Sequence, residues 1–207
     1  MKKIIILVLL NAMFACHSQN TKVMIPTLDN KFETFNKVLL NKLENKKYVS
    51  EFDSDNNYLE ILFSTNAITY RFTPKDSYFQ IIKVYNHNGN IIKKGFTLNL
   101  PWTTFQKGTW YEFDENGKLI KEINYDEPYK FTFEDILKFC EKEKINVDKG
   151  PILQSTGYHT KIRRGIENGK PWWEIEWMKE SDTIETIKLD GLTGKILSRT
   201  TAGYINN

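Results

Sequence analysis

Apolar and polar residues change rhythm several times along this chain. Ile4 to Leu10 is an unbroken apolar run behind Lys2 and Lys3. From Asp29 to Lys46, Phe32, Phe35, Leu39 and Leu43 recur at helical spacing, with Val38 and Leu40 beside them. Asn30 is placed as the N-cap of that helix, with Glu33 three residues on. Short strand-like runs follow: Tyr48 to Phe52, Tyr58 to Ser64, Ala67 to Phe72, Tyr78 to Tyr85, Ile91 to Leu100, Thr109 to Phe113 and Leu119 to Tyr125. Turn residues punctuate them: Asp53-Ser54-Asp55-Asn56-Asn57, Asn88-Gly89 and Asn116-Gly117. The pattern is that of an antiparallel meander.

A second helix starts at Phe131-Thr132-Phe133-Glu134-Asp135-Ile136. Thr132 is its N-cap, Asp135 at N3 completes a near capping box, and Phe131 and Ile136 are placed to staple the first turn. Phe133, Ile136, Leu137 and Cys140 share one face, so Cys140 reads as core. Beyond Gly157, Asn168-Gly169 marks a two-residue hairpin turn. That turn sets Arg163 opposite Glu174, Ile162 opposite Ile175 and Lys161 opposite Glu176. Opposite charges meet on one face and apolar residues on the other, which supports the register independently of the turn. A loop of about five residues around Lys179 to Thr183 would then put Ile187 beside Ile175 and Lys188 beside Glu174. The core face becomes Ile162, Trp173, Ile175, Trp177, Ile187 and Leu189, with Trp172 on the charged face.

These elements predict an α+β protein of two small lobes, each a helix followed by an antiparallel sheet. The lobes span residues 28–127 and 128–207 and divide near Asp126-Glu127-Pro128.

The first apolar run, of about seven residues, is a secretory core far short of the roughly 20 that span a bilayer. Met13-Phe14-Ala15-Cys16 resembles a loose lipobox of bacterial lipoproteins, with Phe14 a departure from the strict form. The resemblance implies a signal peptide over residues 1–15, cleavage before Cys16 and acylation of Cys16. Residues 16–27 would then be the lipidated cysteine and its tether. The resemblance implies the outer membrane from His17 in place of an aspartate, and the periplasmic face from the lack of acidic residues before Asp29. Loss of Lys2 and Lys3 lowers Lys+Arg from 29 to 27 against 26 acidic groups, so the net charge falls from +3 to +1. No field for nucleic acid remains. Cys140 is then the one unlipidated thiol, so no internal disulfide can form.

The sequence carries few groups arranged for chemistry. Glu174 and Glu176 form a carboxylate pair beside Trp172, but each has a cross-strand cation. None of the three histidines has a metal-ligand partner at ligand spacing, so neither a metal nor another cofactor is expected, and there is no catalytic residue to name. Cys140 and His159 would form a dyad only if Cys140 left the face its helix buries. In Leu100-Pro101-Trp102-Thr103-Thr104-Phe105-Gln106-Lys107-Gly108-Thr109-Trp110-Tyr111, strand alternation is lost before Gly108, and Trp102, Trp110 and Tyr111 read as exposed aromatics around a loop.

Two further resemblances are visible. Tyr85 to Lys93 and Phe113 to Lys121 align as aromatic, Asn-Gly turn and apolar strand, similar to the strands of YwqK-type β-meander proteins. The helix, Trp-rich hairpin and Asp190-Gly191-Leu192-Thr193-Gly194-Lys195 turn over Phe131 to Thr200 resemble a PepSY-like module. Such modules bind or inhibit rather than catalyse. The expectation is therefore a non-enzymatic, lipid-anchored envelope protein that binds a protein or peptide in the periplasm. An immunity protein against a toxin and a peptidase inhibitor are its concrete versions; the alternative is a carbohydrate- or peptidoglycan-binding module. Outward-facing Trp172 with Arg163, and Trp102 in the aromatic loop, are the expected partner-binding residues.

Overall fold

Strand follows strand from residue 48 to residue 124 in the computed structural model, which describes residues 27–42, 46–100, 105–152 and 157–204. Strands β1 (Tyr48–Phe52), β2 (Tyr58–Phe63), β3 (Ile68–Thr73), β4 (Phe79–Tyr85), β5 (Ile91–Leu98), β6 (Gln106–Phe113) and β7 (Leu119–Asn124) each pair with the next in one antiparallel sheet. Helix α2 (Phe133–Glu143) follows. A second antiparallel sheet holds β8 (Lys161–Glu167), β9 (Lys170–Glu180), β10 (Thr183–Asp190) and β11 (Ile196–Gly203).

The expected α+β lobes are corrected by this architecture. The protein is predominantly antiparallel β. The helix expected over residues 29–46 reduces, among the described residues, to one short helix, α1 (Lys37–Lys42). Its N-cap is Asn36, whose Oδ1 accepts from Val38 N–H at 2.8 Å, and not Asn30. Residues 29–36 instead form an extended strap across the hairpin tips. Phe35 N–H donates to Gly89 C=O at 2.7 Å, Ile91 N–H donates to Glu33 C=O, and Thr34 bridges Asn90. Phe35 packs edge-on against Tyr85 and Phe32 against Phe113. The i, i+3 spacing of the two phenylalanines thus serves two neighbouring hairpins rather than one helix face. Tertiary contacts override a local helical pattern of ordinary propensity.

The hairpin turns repeat a single hydrogen-bond design. Gly89 N–H donates to Asn86 C=O and Gly117 N–H to Asp114 C=O, with both glycines at positive φ. A third copy stands at Asp53–Asn57, where Asn56 holds the left-handed position. At Gly117 a Cβ would fall 2.8 Å from the Phe32 ring, so glycine there also admits the strap.

Two apolar clusters occupy the inner face of the large sheet. One gathers Phe35, Ile61, Ile68, Tyr85, Ile91 and Phe113 under the strap. The other joins Phe79, Phe96, Leu98 and Phe105 to α2 residues Phe133, Ile136 and Cys140 and to Ile162, Trp173, Ile175, Ile187 and Leu189 of the small sheet. This second core runs continuously past the division expected near Asp126. Lys94, 1% exposed, lies on the same inner face, and its ammonium reaches Asp29, Glu33 and the Lys31 carbonyl of the strap.

The expected helix cap and strand register of the C-terminal region are present. Thr132 and Asp135 form a reciprocal capping box, and Phe133, Ile136 and Cys140 are buried. Lys161 pairs with Glu176, Ile162 with Ile175 and Arg163 with Glu174; Ile187 faces Ile175 and Lys188 faces Glu174. Trp177 is half-buried against the core rather than sealed within it. The β9–β10 connection is tighter than expected, because β9 extends to Glu180 and β10 begins at Thr183.

Candidate functional site

Arg163 and Trp172 do share the outer face of the small sheet, as alternation along β8 and β9 requires. Both are already engaged. The Arg163 guanidinium donates to Glu174 at 2.8 Å and to Glu176 at 3.1 Å. Glu176 also accepts from Tyr158 and Lys161. Burial raises the Glu176 pKa, but hydrogen bonds from Lys161, Tyr158 and Arg163 outweigh it and hold the carboxyl below its ordinary range. A catalytic general acid requires the opposite displacement. With Lys161, Arg163 and Tyr158 the two carboxylates form a cross-strand charge ladder.

Trp172 lies flat over Gly165, where a Cβ would come within 2.5 Å of the indole. Above the ring sits the Lys188 ammonium, 5.0 Å from the centroid. Trp110 repeats this arrangement on the large sheet, over Gly95 and under Lys93 at 5.1 Å. Its indole N–H donates to the Phe96 carbonyl. Trp110 lies in β6, where the expected Thr109 to Phe113 strand falls, and it is buried rather than exposed. In each case the glycine lets an indole cover the neighbouring backbone, and a lysine caps the outer ring face. A sugar-stacking platform needs that face open.

Cys140 is buried in α2, and burial pushes its thiol up to about 12. His159 Nδ1 lies 2.6 Å from Asp148 Oδ2. Among the described residues no group of three or more His, Cys, Asp or Glu could hold a metal ion.

Between the sheets, Asp126 receives Lys107 at 2.7 Å and Arg164 at 2.8 Å. The Arg164 guanidinium stacks 4.5 Å from the centroids of both Phe105 and Tyr129, and 5.3 Å from that of Trp173. Burial opposes ionisation of Asp126, but Lys107 and Arg164 outweigh it and lower its pKa. This network holds β6, the β7–α2 connection and β8 together.

The clearest exposed aromatic surface among the described residues is one the sequence pattern did not single out. On the outer face of β1 and β2, Tyr48 opposes Leu62 and Phe52 opposes Tyr58. Tyr48 is 46% exposed, Phe52 51% and Leu62 38%. Glu60 stands between the two pairs, accepts from Tyr48 Oη at 2.6 Å and approaches Arg71 at 4.0 Å. Val49, Leu59 and Ile61 meanwhile fill the inner face. A signal was present: Tyr48 to Phe52 and Tyr58 to Phe63 carry apolar residues on both alternations, although β1 is the edge of the sheet and β2 its neighbour.

Cys16 and Trp102 lie outside the described residues. Among the described residues no helix is long and apolar enough to cross a membrane. No protein-family model matches the chain, and the curated proteins and solved structures contain no significant match to it.

Proposed function

We propose that the chain is a non-enzymatic envelope protein, anchored through an acylated Cys16 on the periplasmic face of the outer membrane, that binds a protein partner. One observation carries this reading: Tyr48, Phe52 and Leu62 stand exposed on one sheet face with half-buried Tyr58, Glu60 lies between the two pairs, and Arg71 flanks them on β3. Aromatic and arginine side chains are the residue types that dominate protein contacts. The polar groups considered for catalysis are, by contrast, bound to one another. The partner presents apolar side chains to the aromatic rows and a carboxylate to Arg71. An immunity protein that neutralises a toxin and an inhibitor of a secreted peptidase both act in this way. A PepSY-like identity for residues 131–200 accords with a binding role. The lysine caps over Trp172 and Trp110 weigh against a carbohydrate platform.

Cross-linked capture from envelope fractions tests this directly. Tyr48→Ala with Phe52→Ala should reduce recovery of the partner at least tenfold while leaving thermal unfolding unchanged, and Trp172→Ala should not. Recovery lost only with Trp172→Ala moves the contact to the small sheet. Turnover of an envelope substrate that Glu174→Gln abolishes refutes the binding role. Intact-mass measurement should find acylation at Cys16; wild-type protein recovered as an unmodified soluble species refutes the anchor.

A further inference from the structure

Lys94 carries a charge that its own sheet does not satisfy. It is 1% exposed, yet among the described residues every acceptor of its ammonium belongs to the strap: the Asp29 and Glu33 carboxylates and the Lys31 carbonyl. Lys83 stands directly opposite Lys94 in the β4–β5 register, and its ammonium also goes to Glu33. One carboxylate thus bridges two lysines, with Oε2 2.7 Å from Lys83 and Oε1 3.2 Å from Lys94. Without it, like charges would face each other on Cβ atoms about 4.5–5.5 Å apart. A buried charge left without its partner is strongly destabilising. This seat on the inner face therefore demands a carboxylate.

The segment that supplies the carboxylate is held shallowly. Of residues 29–36 only Phe35 is buried, and Phe32 is 38% exposed. Its backbone joins the meander through two hydrogen bonds around the single Thr34–Asn90 bridge. A segment with so few buried contacts opens at lower cost than the sheet beneath it. It also lies as a bound peptide would. The backbone pairs with a hairpin tip, Phe35 meets Tyr85 of one repeated hairpin, Phe32 meets Phe113 of the next, and Glu33 enters the lysine pair. Strand addition with side-chain pockets is a general mode of peptide recognition.

We propose that this seat is a peptide-binding site held closed in cis by the strap, and that its ligand in trans is an extended segment of a partner protein. The ligand carries an aromatic residue, an acidic residue, any residue and a second aromatic, as Phe32-Glu33-Thr34-Phe35 does. The event is an exchange rather than an opening, because Lys94 passes from one carboxylate to another. The tethered strap competes at an effective concentration on the order of millimolar, so weak ligands are turned away. The seat lies on the opposite face from Tyr48 and Phe52 and stands whether or not that face binds a partner.

A fluorescent peptide of residues 28–37, titrated by anisotropy against the full chain with Cys16→Ser, tests the exchange. Phe32→Ala with Glu33→Gln in the chain's own strap should tighten peptide binding at least tenfold, because the tethered competitor is weakened. In that variant a Glu33→Lys peptide should bind at least tenfold more weakly than the native peptide, and Lys83→Met in the chain should erase most of the difference. If the double variant fails to fold, Phe32→Ala alone takes its place. In the wild-type chain, the Phe35 amide should exchange with deuterium at least tenfold faster than the amides of β3 and β4, and excess peptide should speed it further. A folded strap variant that binds peptide no better than wild type overturns the proposal. So does equal binding of the Glu33→Lys peptide, or a Phe35 amide that exchanges only with global unfolding. A wild-type dimer that Phe32→Ala dissociates would put a second copy's strap in the seat and overturn the foreign ligand.

Discussion

Exchanging Trp173 for alanine should be the most damaging single change in the small sheet. The side chain is 0% exposed. It meets Phe105 at 5.4 Å, Tyr129 at 5.2 Å and Phe133 at 6.4 Å, and Arg164 stacks on its face. Removing a buried tryptophan costs about 3–5 kcal/mol. The indole N–H also donates to the Phe131 carbonyl at 2.9 Å, and stranding that acceptor adds about 1 kcal/mol or more. Domains of this size hold roughly 5–15 kcal/mol in all, so the variant forfeits about a quarter or more of its stability. Trp173→Phe keeps the ring packing but not the hydrogen bond and should lose about 2 kcal/mol. Trp172→Ala uncovers Gly165 on a half-buried face and should cost about 1 kcal/mol. Urea titrations followed by circular dichroism will rank the three. Equal losses for Trp172→Ala and Trp173→Ala would refute the assignment of faces in β9.

Three further outcomes are expected. Gly95→Ala places a Cβ about 2.1 Å from the Trp110 indole, so it should shift Trp110 fluorescence and cost about 1–3 kcal/mol in the same titration. The folded pKa of Asp126 lies below its unfolded value of 3.8, so its stabilisation is complete above that pH and is lost as pH falls through the depressed value; Asp126→Asn should reduce this acid-linked loss of stability and, with the carboxylate 30% exposed, cost about 2 kcal/mol at neutral pH. Cys140 should resist thiol reagents in the native state at pH 8 and react once denatured, since burial keeps it protonated and covered.

The C-terminal sheet was legible because independent signals agreed there. Asn168-Gly169 fixed the turn, the Lys161, Arg163, Glu174 and Glu176 charges fixed one face, and the apolar alternation fixed the other. Thr132 and Asp135 likewise announced α2. The N-terminal strap was not legible, because Phe32 and Phe35 fit a helix locally. Their real partners, Phe113 and Tyr85, lie dozens of residues away. Strand patterns carry no record of which distant backbone a segment will cross. The continuity of the second core was hidden for a similar reason. Asp126 looked like part of a polar linker, and nothing nearby in sequence marks Arg164 as its partner. The exposed rows on β1 and β2 were written in the alternation, but an edge strand that is apolar on both sides resembles a buried strand until the sheet order is known. Trp102 lies outside the described residues, and Trp172 and Arg163 share one face as expected but are engaged within the sheet.

The strap also sets an order of events. Phe32 rests on Phe113 and Gly117, and Asp29 on Lys94, so its docking site exists only after the chain has been made through the β6–β7 hairpin. The hairpins themselves close over short sequence distances and can form early, whereas the strap's contacts demand long loop closure. During synthesis this segment, made before the hairpins it crosses, thus locks last, with Phe32 and Phe35 uncovered in the interval. Substitutions at these two residues should accelerate unfolding while leaving the refolding rate nearly unchanged, because their contacts are absent from the transition state. The N-terminal segment is in this sense a clasp, fastened when the meander beneath it is complete.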